Sequence, residues 1–298
     1  MTRIAVLGST NMDLVAYVSK APQRGETVTG REFRTIPGGK GANQAVAAAR
    51  AGADVSMIGA VGNDAYGTRL RSVLEHSGVA TDRLRTAEGA SGTAHIVVDD
   101  EGGNAIVVVP AANGTVTALA PGDGGLIATA DALLLQLEIP LTAVVEGARA
   151  ARRHGVRTIL TPAPAGPLSP ELLAVIDLLV PNEHEAAALT GLTDPRRAAT
   201  ALLDQVPEVV VTLGAAGSLY ASRDAAEPVT VPAPSVTAVD STGAGDTFVG
   251  ALAVALAEGR PMPDALAWSA AAGALSVQRP GASASMPYRA EIEARYTS

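Results

Sequence analysis

The chain has 298 residues, no cysteine and a net charge of −8, with 47% hydrophobic, 17% charged and 3% aromatic residues. That composition excludes a disordered chain, a disulfide framework, thiolate catalysis and cysteine-based zinc sites. The acidic balance and scarce aromatics argue against a nucleic-acid binder, which needs clustered cations or stacking platforms. The first eight residues carry too short an apolar run for a signal peptide, and no stretch approaches the about 20 apolar residues of a spanning helix. A cytoplasmic protein, free of membrane, is expected.

In chain order, residues 4–7 predict a buried strand. Residues 13–37 show period-2 patches and no good helix. A helix is predicted over 42–51, a strand over 55–61 and a helix over 66–76. Residues 93–109 form a hairpin pattern: an apolar run at 94–98, a glycine-containing loop at 99–103, and a second run at 104–109. Strands at 133–137, 158–160, 178–180 and 209–213 then alternate with helices at 142–154, 183–189 and 196–204. Residues 236–240 read as a strand end. Two long helices follow, at 245–258 and 263–278.

This alternation predicts an α/β fold with a mostly parallel, Rossmann-like central sheet and helices on both faces. Two segments stand outside it. Residues 13–37 and 93–110 are expected to join as a small antiparallel β lid beside a core made of 1–12, 38–92 and 111–298. The run at 106–109 is apolar at successive positions, so both its faces should be covered, one of them by a partner subunit.

Two glycine-rich turns carry the chemistry. In Ser241-Thr242-Gly243-Ala244-Gly245-Asp246, Gly243 and Gly245 let the backbone turn tightly at a helix start. There successive N–H groups and the helix dipole favour an anion. Asp246 falls in the first turn, beside that anion site, where it suits a base that deprotonates an attacking hydroxyl. It equally suits a helix-capping acid. Neither a Walker A loop nor a dinucleotide fingerprint is present. The second turn, Gly38-Gly39-Lys40-Gly41-Ala42-Asn43, also opens a helix, and Asn43 offers both donor and acceptor to a hydroxyl. Alone, it is also consistent with a flexible connector.

Together these two turns resemble the two signatures of the ribokinase (PfkB carbohydrate kinase) family. The resemblance runs nearly end to end. Gly8-Ser9-Thr10-Asn11-Met12-Asp13 is similar to the family's sugar-binding start. Gly25-Glu26-Thr27-Val28, Leu135-Gln136-Leu137-Glu138, Thr161-Pro162-Ala163-Pro164-Ala165, Pro181-Asn182-Glu183-His184-Glu185 and Thr212-Leu213-Gly214-Ala215-Ala216-Gly217 follow in order.

The resemblance implies an ATP-dependent transfer of phosphate to O5 of D-ribose, with Asp246 as base and Gly243, Ala244 and Gly245 as the anion hole. Asn11, Met12, Asp13, Gly38, Gly39, Lys40, Gly41, Asn43 and Glu138 would line the sugar pocket. Thr212, Leu213, Gly214, Ala215, Ala216, Gly217, Asn182, Gly245 and Ala270 would line the ATP site. Ala270 stands where some members carry a nucleotide-contacting histidine, and an aliphatic adenine slot is expected. Asn182 and Glu185 would organise Mg²⁺ through water, although the same pair suits a helix cap. Asp240, Thr242, Ser276, Arg279, Gly281 and Ser285 would hold an activating K⁺. A homodimer through the lid is implied as well. Deoxyribose, fructose or a nucleoside remains an alternative acceptor, and a non-catalytic sugar- or nucleotide-binding protein on the same fold remains an alternative of another class.

Overall fold

In the computed structural model, which describes residues 1–297, the chain runs β1 (Arg3–Leu7), β2 (Asn11–Tyr17), β3 (Glu32–Gly38), α1 (Lys40–Arg50), β4 (Asp54–Gly62), α2 (Ala65–His76), β5 (Val79–Ala87), β6 (Gly92–Val98) and β7 (Asn104–Val109). It continues with α3 (Asp123–Ile127), β8 (Ala132–Leu135), α4 (Leu141–Arg153), β9 (Arg157–Leu160), α5 (Pro170–Leu173), β10 (Leu178–Leu179), α6 (Glu183–Thr190), α7 (Pro195–Leu202) and β11 (Glu208–Thr212). Last come β12 (Ser218–Ser222), β13 (Val229–Val231), α8 (Ala244–Ala257), α9 (Met262–Ser276) and α10 (Arg289–Tyr296).

Nine strands form one sheet in the order β13-β12-β11-β10-β9-β8-β1-β4-β5. All pairings from β11 to β5 are parallel, and β12 and β13 add an antiparallel edge. The central strands lack polar alternation because helices cover both faces. Every residue of β8 is buried, and so is every residue of β1 after Arg3. On one face, Ile4, Val6 and Met57 pack in a core with Val46, Val249, Leu252 and Trp268 from α1, α8 and α9. On the other, Leu7 and Leu133 share a core with Val144, Ala148 and Leu202 from α4 and α7.

Helix α8 is apolar all round because it lies inside the first core, and Asp246 through Ala255 are all buried. It crosses α1 closely at Gly250, where a Cβ would stand 2.5 Å from Ala47 Cβ and 2.8 Å from Gln44 O. This crossing sets the distance between the side chains of α1 and the first turn of α8.

The second sheet has the order β3-β2-β6-β7. Its outer pairs, β2–β3 and β6–β7, are antiparallel, while the central β2–β6 pair is parallel. All six residues of β7 are exposed, so within this chain neither face of that edge strand is covered.

Residues 236–240 form no strand. Val239 N and Asp240 N both donate to Val277 O, at the end of α9, which leaves no ladder partner for the segment. Pro232 and Pro234 just upstream also remove ladder donors. Three further strands were not foreseen. β5 carries Asp82, Arg83 and Arg85 along a sheet edge, and β12 and β13 are short strands, of which β13 is the opposite edge. Helix α10 is polar and has one buried residue, Ile292, so it lacks an apolar stripe to announce it. Among the described residues no helix is long and apolar enough to cross a membrane.

Gly250→Val should lower stability by about 1–3 kcal/mol through overpacking of α1 against α8. Urea unfolding measures the loss, and an unchanged midpoint would mean that the two helices can slide apart freely.

Candidate active site

The order of strands reverses at β1. The chain leaves it toward β4 and β5 and fills the other side with β8 to β11. Connections that diverge in this way open a crevice at the carboxyl ends of the strands. The two segments that follow β1 and β8, Gly8–Asp13 and Gln136–Glu138, converge there.

Ser9 and the start of α1 hold Glu138. The Ser9 hydroxyl and the Lys40 backbone N–H both donate to Glu138 Oε2, the latter at 3.0 Å. Asn113, which is 1% exposed, clamps the next residues. It accepts from Thr10 N (3.0 Å), donates to Thr10 O (3.0 Å) and donates to Asn11 Oδ1 (2.8 Å). Met12 is fully buried in the core, so it offers only backbone to the crevice. Asp13 points back at Gly38, where a Cβ would lie 2.4 Å from Asp13 Oδ2.

Asp246 sits in the first turn of α8, behind the N-cap Gly243, whose φ of 72° favours glycine. The residue is 9% exposed. Both oxygens are bonded from α1: Asn43 Nδ2 donates to Oδ2 at 3.0 Å and Gln44 Nε2 to Oδ1 at 3.1 Å. The Ala244 N–H donates to Ser241 O and closes the turn.

The electrostatics of this cluster are lopsided. Burial, followed by repulsion from Glu138 and Asp246, pushes the Asp13 carboxyl up to about 7, with Lys40 opposing. Burial also raises the Asp246 carboxyl above its ordinary range, against the pull of Lys40, Asn43 and Gln44. Burial alone would lower the Lys40 ammonium, but Asp246, Glu138, Glu185 and Asp13 outweigh it, and the net shift is upward. One cation therefore stands among four carboxylates.

On the other side of Gly245 lies a cavity of about 390 Å³. Thr212, Gly214, Ala215 and Gly217 line one wall, and Ala244, Gly245, Phe248, Ala270, Gly273 and Val277 another. Ala233, Pro234, Ser235 and Val236 close it. No charged side chain lines the cavity, and its character is aliphatic. Leu213, Ala216 and Asn182 are outside the lining. Asn182 is tied to it through Thr212, whose N–H donates to Pro181 O at 3.0 Å. Asn182 and Glu185 form a reciprocal capping box on α6, at 2.8 Å each way, and burial raises the Glu185 carboxyl.

Beneath the turn, Asp240 accepts from Thr242 N at 2.9 Å and from Gly281 N at 2.8 Å. Burial raises its pKa, yet these bonds and the Thr242 side chain outweigh burial and hold the carboxyl below its usual range. Ser276 and Ser285 donate their hydroxyls to Gly273 O and Ala282 O, and Arg279 turns its guanidinium to Glu291.

The structure thus gathers Asp13, Gly38, Lys40, Asn43, Glu138 and Asp246 on one side of the α8 start, and most of the glycine loop at 212–217 with Ala270 on the other. Sequence reasoning assigned no role to Ser9, Gln44, Asn113, Gln136 and Thr161, the polar residues that hold the cluster, nor to the cavity wall at 233–236 and Phe248. Gln44 and Gln136 stood next to residues of the glycine turn and the strand end that did draw attention. Asn113 carried no signal of its own.

A family model described as "pfkB family carbohydrate kinase" matches residues 1–289. The chain is 45% identical to the ribokinase of Bacillus subtilis, over 98% of this chain and 99% of that protein. It is 42% identical to the ribokinase of Schizosaccharomyces pombe, over 99% and 98%. Its fold is similar to that of Arabidopsis thaliana ribokinase complexed with ribose and ATP, with a TM-score of 0.94, 33% identity and full coverage of both chains.

Ionised Asp13 should cost stability. Its carboxyl, raised from 3.8 to about 7, keeps in the folded state a proton that the unfolded chain loses. Stability therefore falls as pH rises from about 4 through about 7. Asp13→Asn should raise stability at pH 8 by about 2–4 kcal/mol and change it little at pH 4. Denaturant unfolding at the two pH values checks both the size and the sign.

Proposed function

The chain belongs to the pfkB family of carbohydrate kinases, and we propose on that footing that it transfers the γ-phosphoryl group of ATP to O5 of D-ribose, giving D-ribose 5-phosphate. The observation that carries the proposal is the position of Asp246. Its buried carboxylate stands between a cluster of sugar-competent acceptors and an aliphatic cavity of nucleotide size. The relatives that are ribokinases, and the Arabidopsis ribokinase complexed with ribose and ATP, support the choice of sugar and donor.

In this reading Asn11, Asp13, Asn43 and Glu138 take the sugar hydroxyls, and the backbone of Gly38–Gly41 shapes the pocket around them. Asp13, when ionised, can only accept, which suits the hydroxyls of a polyol. Asp246 removes the O5 proton as the oxygen attacks, and a raised pKa suits that task. The α8 N-terminus, through the Gly243–Gly245 backbone, faces the transferring phosphoryl with N–H groups and the positive end of a helix dipole. Lys40 adds the one side-chain cation of the cluster. Adenine fits the aliphatic slot beside Ala270, with the loop Thr212–Gly217 along the nucleotide.

Mg²⁺ would come with the nucleotide. Among the described residues no group of three His, Cys, Asp or Glu forms a metal cage. An ion held mainly by phosphates and water would suit this site, with the Glu185 carboxylate and the Asn182 amide that caps with it as outer partners. Mg²⁺ would neutralise charge on the transferring group. The Asp240, Thr242, Ser276, Arg279, Gly281 and Ser285 set offers only hard oxygens, Arg279 by its carbonyl, and fits K⁺. Asp240 already ties residues 240–242 to 281, so a cation there would steady the turn that presents Asp246.

The sheet of residues 13–37 and 93–110 would act as a lid that closes over the sugar and keeps water from the phosphoryl group. Its edge strand exposes Ile106, Val107, Val108 and Val109 at 42–64%. An apolar edge of that kind supports a homodimer through the lid. ATP as donor and a chain without cysteine fit a cytoplasmic enzyme.

Asp246→Asn should cut turnover by about 10³-fold or more while calorimetry still detects ribose binding; near-normal turnover would remove Asp246 as base. Released ADP, measured with ribose, deoxyribose, fructose and ribonucleosides, should be highest with ribose and rise with K⁺. A preference for another acceptor would overturn the choice of sugar. Sedimentation should give twice the 29.9 kDa chain mass, reduced to the monomer by Val107→Asp with Val108→Asp.

A further inference from the structure

Gln44 and Gln136 are fully buried glutamines to which the mechanism above gives no task. The amide of Gln44 is aimed at the base, and that of Gln136 at Gln44. Gln44 Nε2 donates to Asp246 Oδ1 (3.1 Å) and to Thr161 Oγ1 (3.2 Å). Its Oε1 accepts from Gln136 Nε2 at 2.6 Å. Both the amino and the carbonyl end of the Gln44 amide are therefore engaged. Rotated end for end, it would set its carbonyl against a carboxylate and its amino group against another amino group.

Gln136 in turn is wedged against the end of β1. A Cβ on Gly8 would lie 2.0 Å from Gln136 Oε1, so only glycine leaves room for it there. Gln136 Oε1 has no partner among the described residues. A buried acceptor left unbonded is costly. Here that cost accompanies an arrangement in which the donor end of the same amide fixes the carbonyl of Gln44.

We propose that Gln44 is a positioning residue for the base, and that Gln136 acts through it by locking its amide. The relay Gln136→Gln44→Asp246 would do two things. It fixes the carboxylate plane, with Asn43 on the other oxygen. It also favours the ionised form, because a hydrogen bond to a charged acceptor lowers its pKa. Lys40 on α1 acts in the same direction. Glu138 after β8 opposes it, and so does Asp13 on β2. These charges are unchanged in the variants below. The proposal rests on Asp246 being the base.

The test is the single-turnover rate of phosphoryl transfer at saturating ATP and ribose, followed against pH. Saturating ribose makes the profile report the groups of the complex, and comparison with the parent cancels what Asp13 contributes to both. Gln44→Met keeps the volume and removes the donor. It should lower the plateau rate by roughly 10–100-fold and move the acid limb up by about one pH unit, from loss of one hydrogen bond to a charge. The KM for ribose should stay within about threefold. Gln136→Met, one step removed, should give a smaller loss, about 3–10-fold, with the limb displaced in the same direction. A rate within about twofold of the parent and an unmoved limb in Gln44→Met would overturn the relay. If that variant fails to fold, the same two readings in Gln136→Met decide. A merely structural role would lower the amount of active enzyme without moving the limb. Asp246→Asn, run alongside, separates the two readings: turnover surviving there defeats the base, whereas an inert Asp246→Asn with an unaltered Gln44→Met defeats only the relay.

Discussion

A carboxylate buried between packed helices and a sheet is costly to ionise unless both its oxygens are hydrogen-bonded. Asp246 is such a group, and much of the molecule is arranged around its needs. Its donors lie on α1, so α1 and α8 must cross closely, and Gly250 removes the side chain that would prevent it. The donors must also keep their orientation, which brings in Gln136 and the missing side chain at Gly8. Both helices lie on one face of the sheet, in the core that buries Trp268, and that core supplies the rigidity the pair requires.

Around this fixed point the chain separates two kinds of chemistry. On the lid side, charge is concentrated: Asp13, Glu138 and Asp246 gather around Lys40, and mutual repulsion is part of what raises Asp13 to about 7. Such a cluster is short of donors, and a polyol has hydroxyls to give. On the other side the cavity wall is made largely of alanine, glycine, proline and valine, and potential comes from backbone and helix end. An acidic chain can in this way face a polyanion without presenting a basic patch. The boundary between the two regions is the single peptide step from Gly245 to Asp246.

The second sheet joins the first through the segments that carry the residues proposed to hold the sugar. β2 begins at Asn11, two residues beyond Ser9, and β3 ends at Gly38, two before Lys40. Movement of that sheet would therefore act directly on the pocket. The parallel β2–β6 pair places Gly92 opposite Asn11, beside Asn113, so the clamp on Asn11 lies at the root of the second sheet.

Much of this was legible in the sequence, for identifiable reasons. Short, largely apolar runs and alanine-rich helices signal a sheet covered on both faces, and β1, β4, β8, β9 and β11 all follow that pattern. Residues 236–240 looked like a strand by composition, but Val277 O takes two of its N–H groups, those of Val239 and Asp240. Strand β5 was hidden by its charges, and α10 by its want of an apolar stripe. The two glycine turns announced an anion site and a base candidate because local backbone geometry is written in glycine and in the first residues of a helix. The sequence by itself thus determined the α/β class, the helix-start turns and the identity of Asp246. Tertiary structure alone decided what surrounds that carboxylate, because Asn43 and Gln44 come from α1, Asp13 from β2 and Gln136 from the segment after β8. Their contacts, the shift of Asp13 and the division between charged pocket and neutral cavity depend on distance and burial, which arise only when those elements pack.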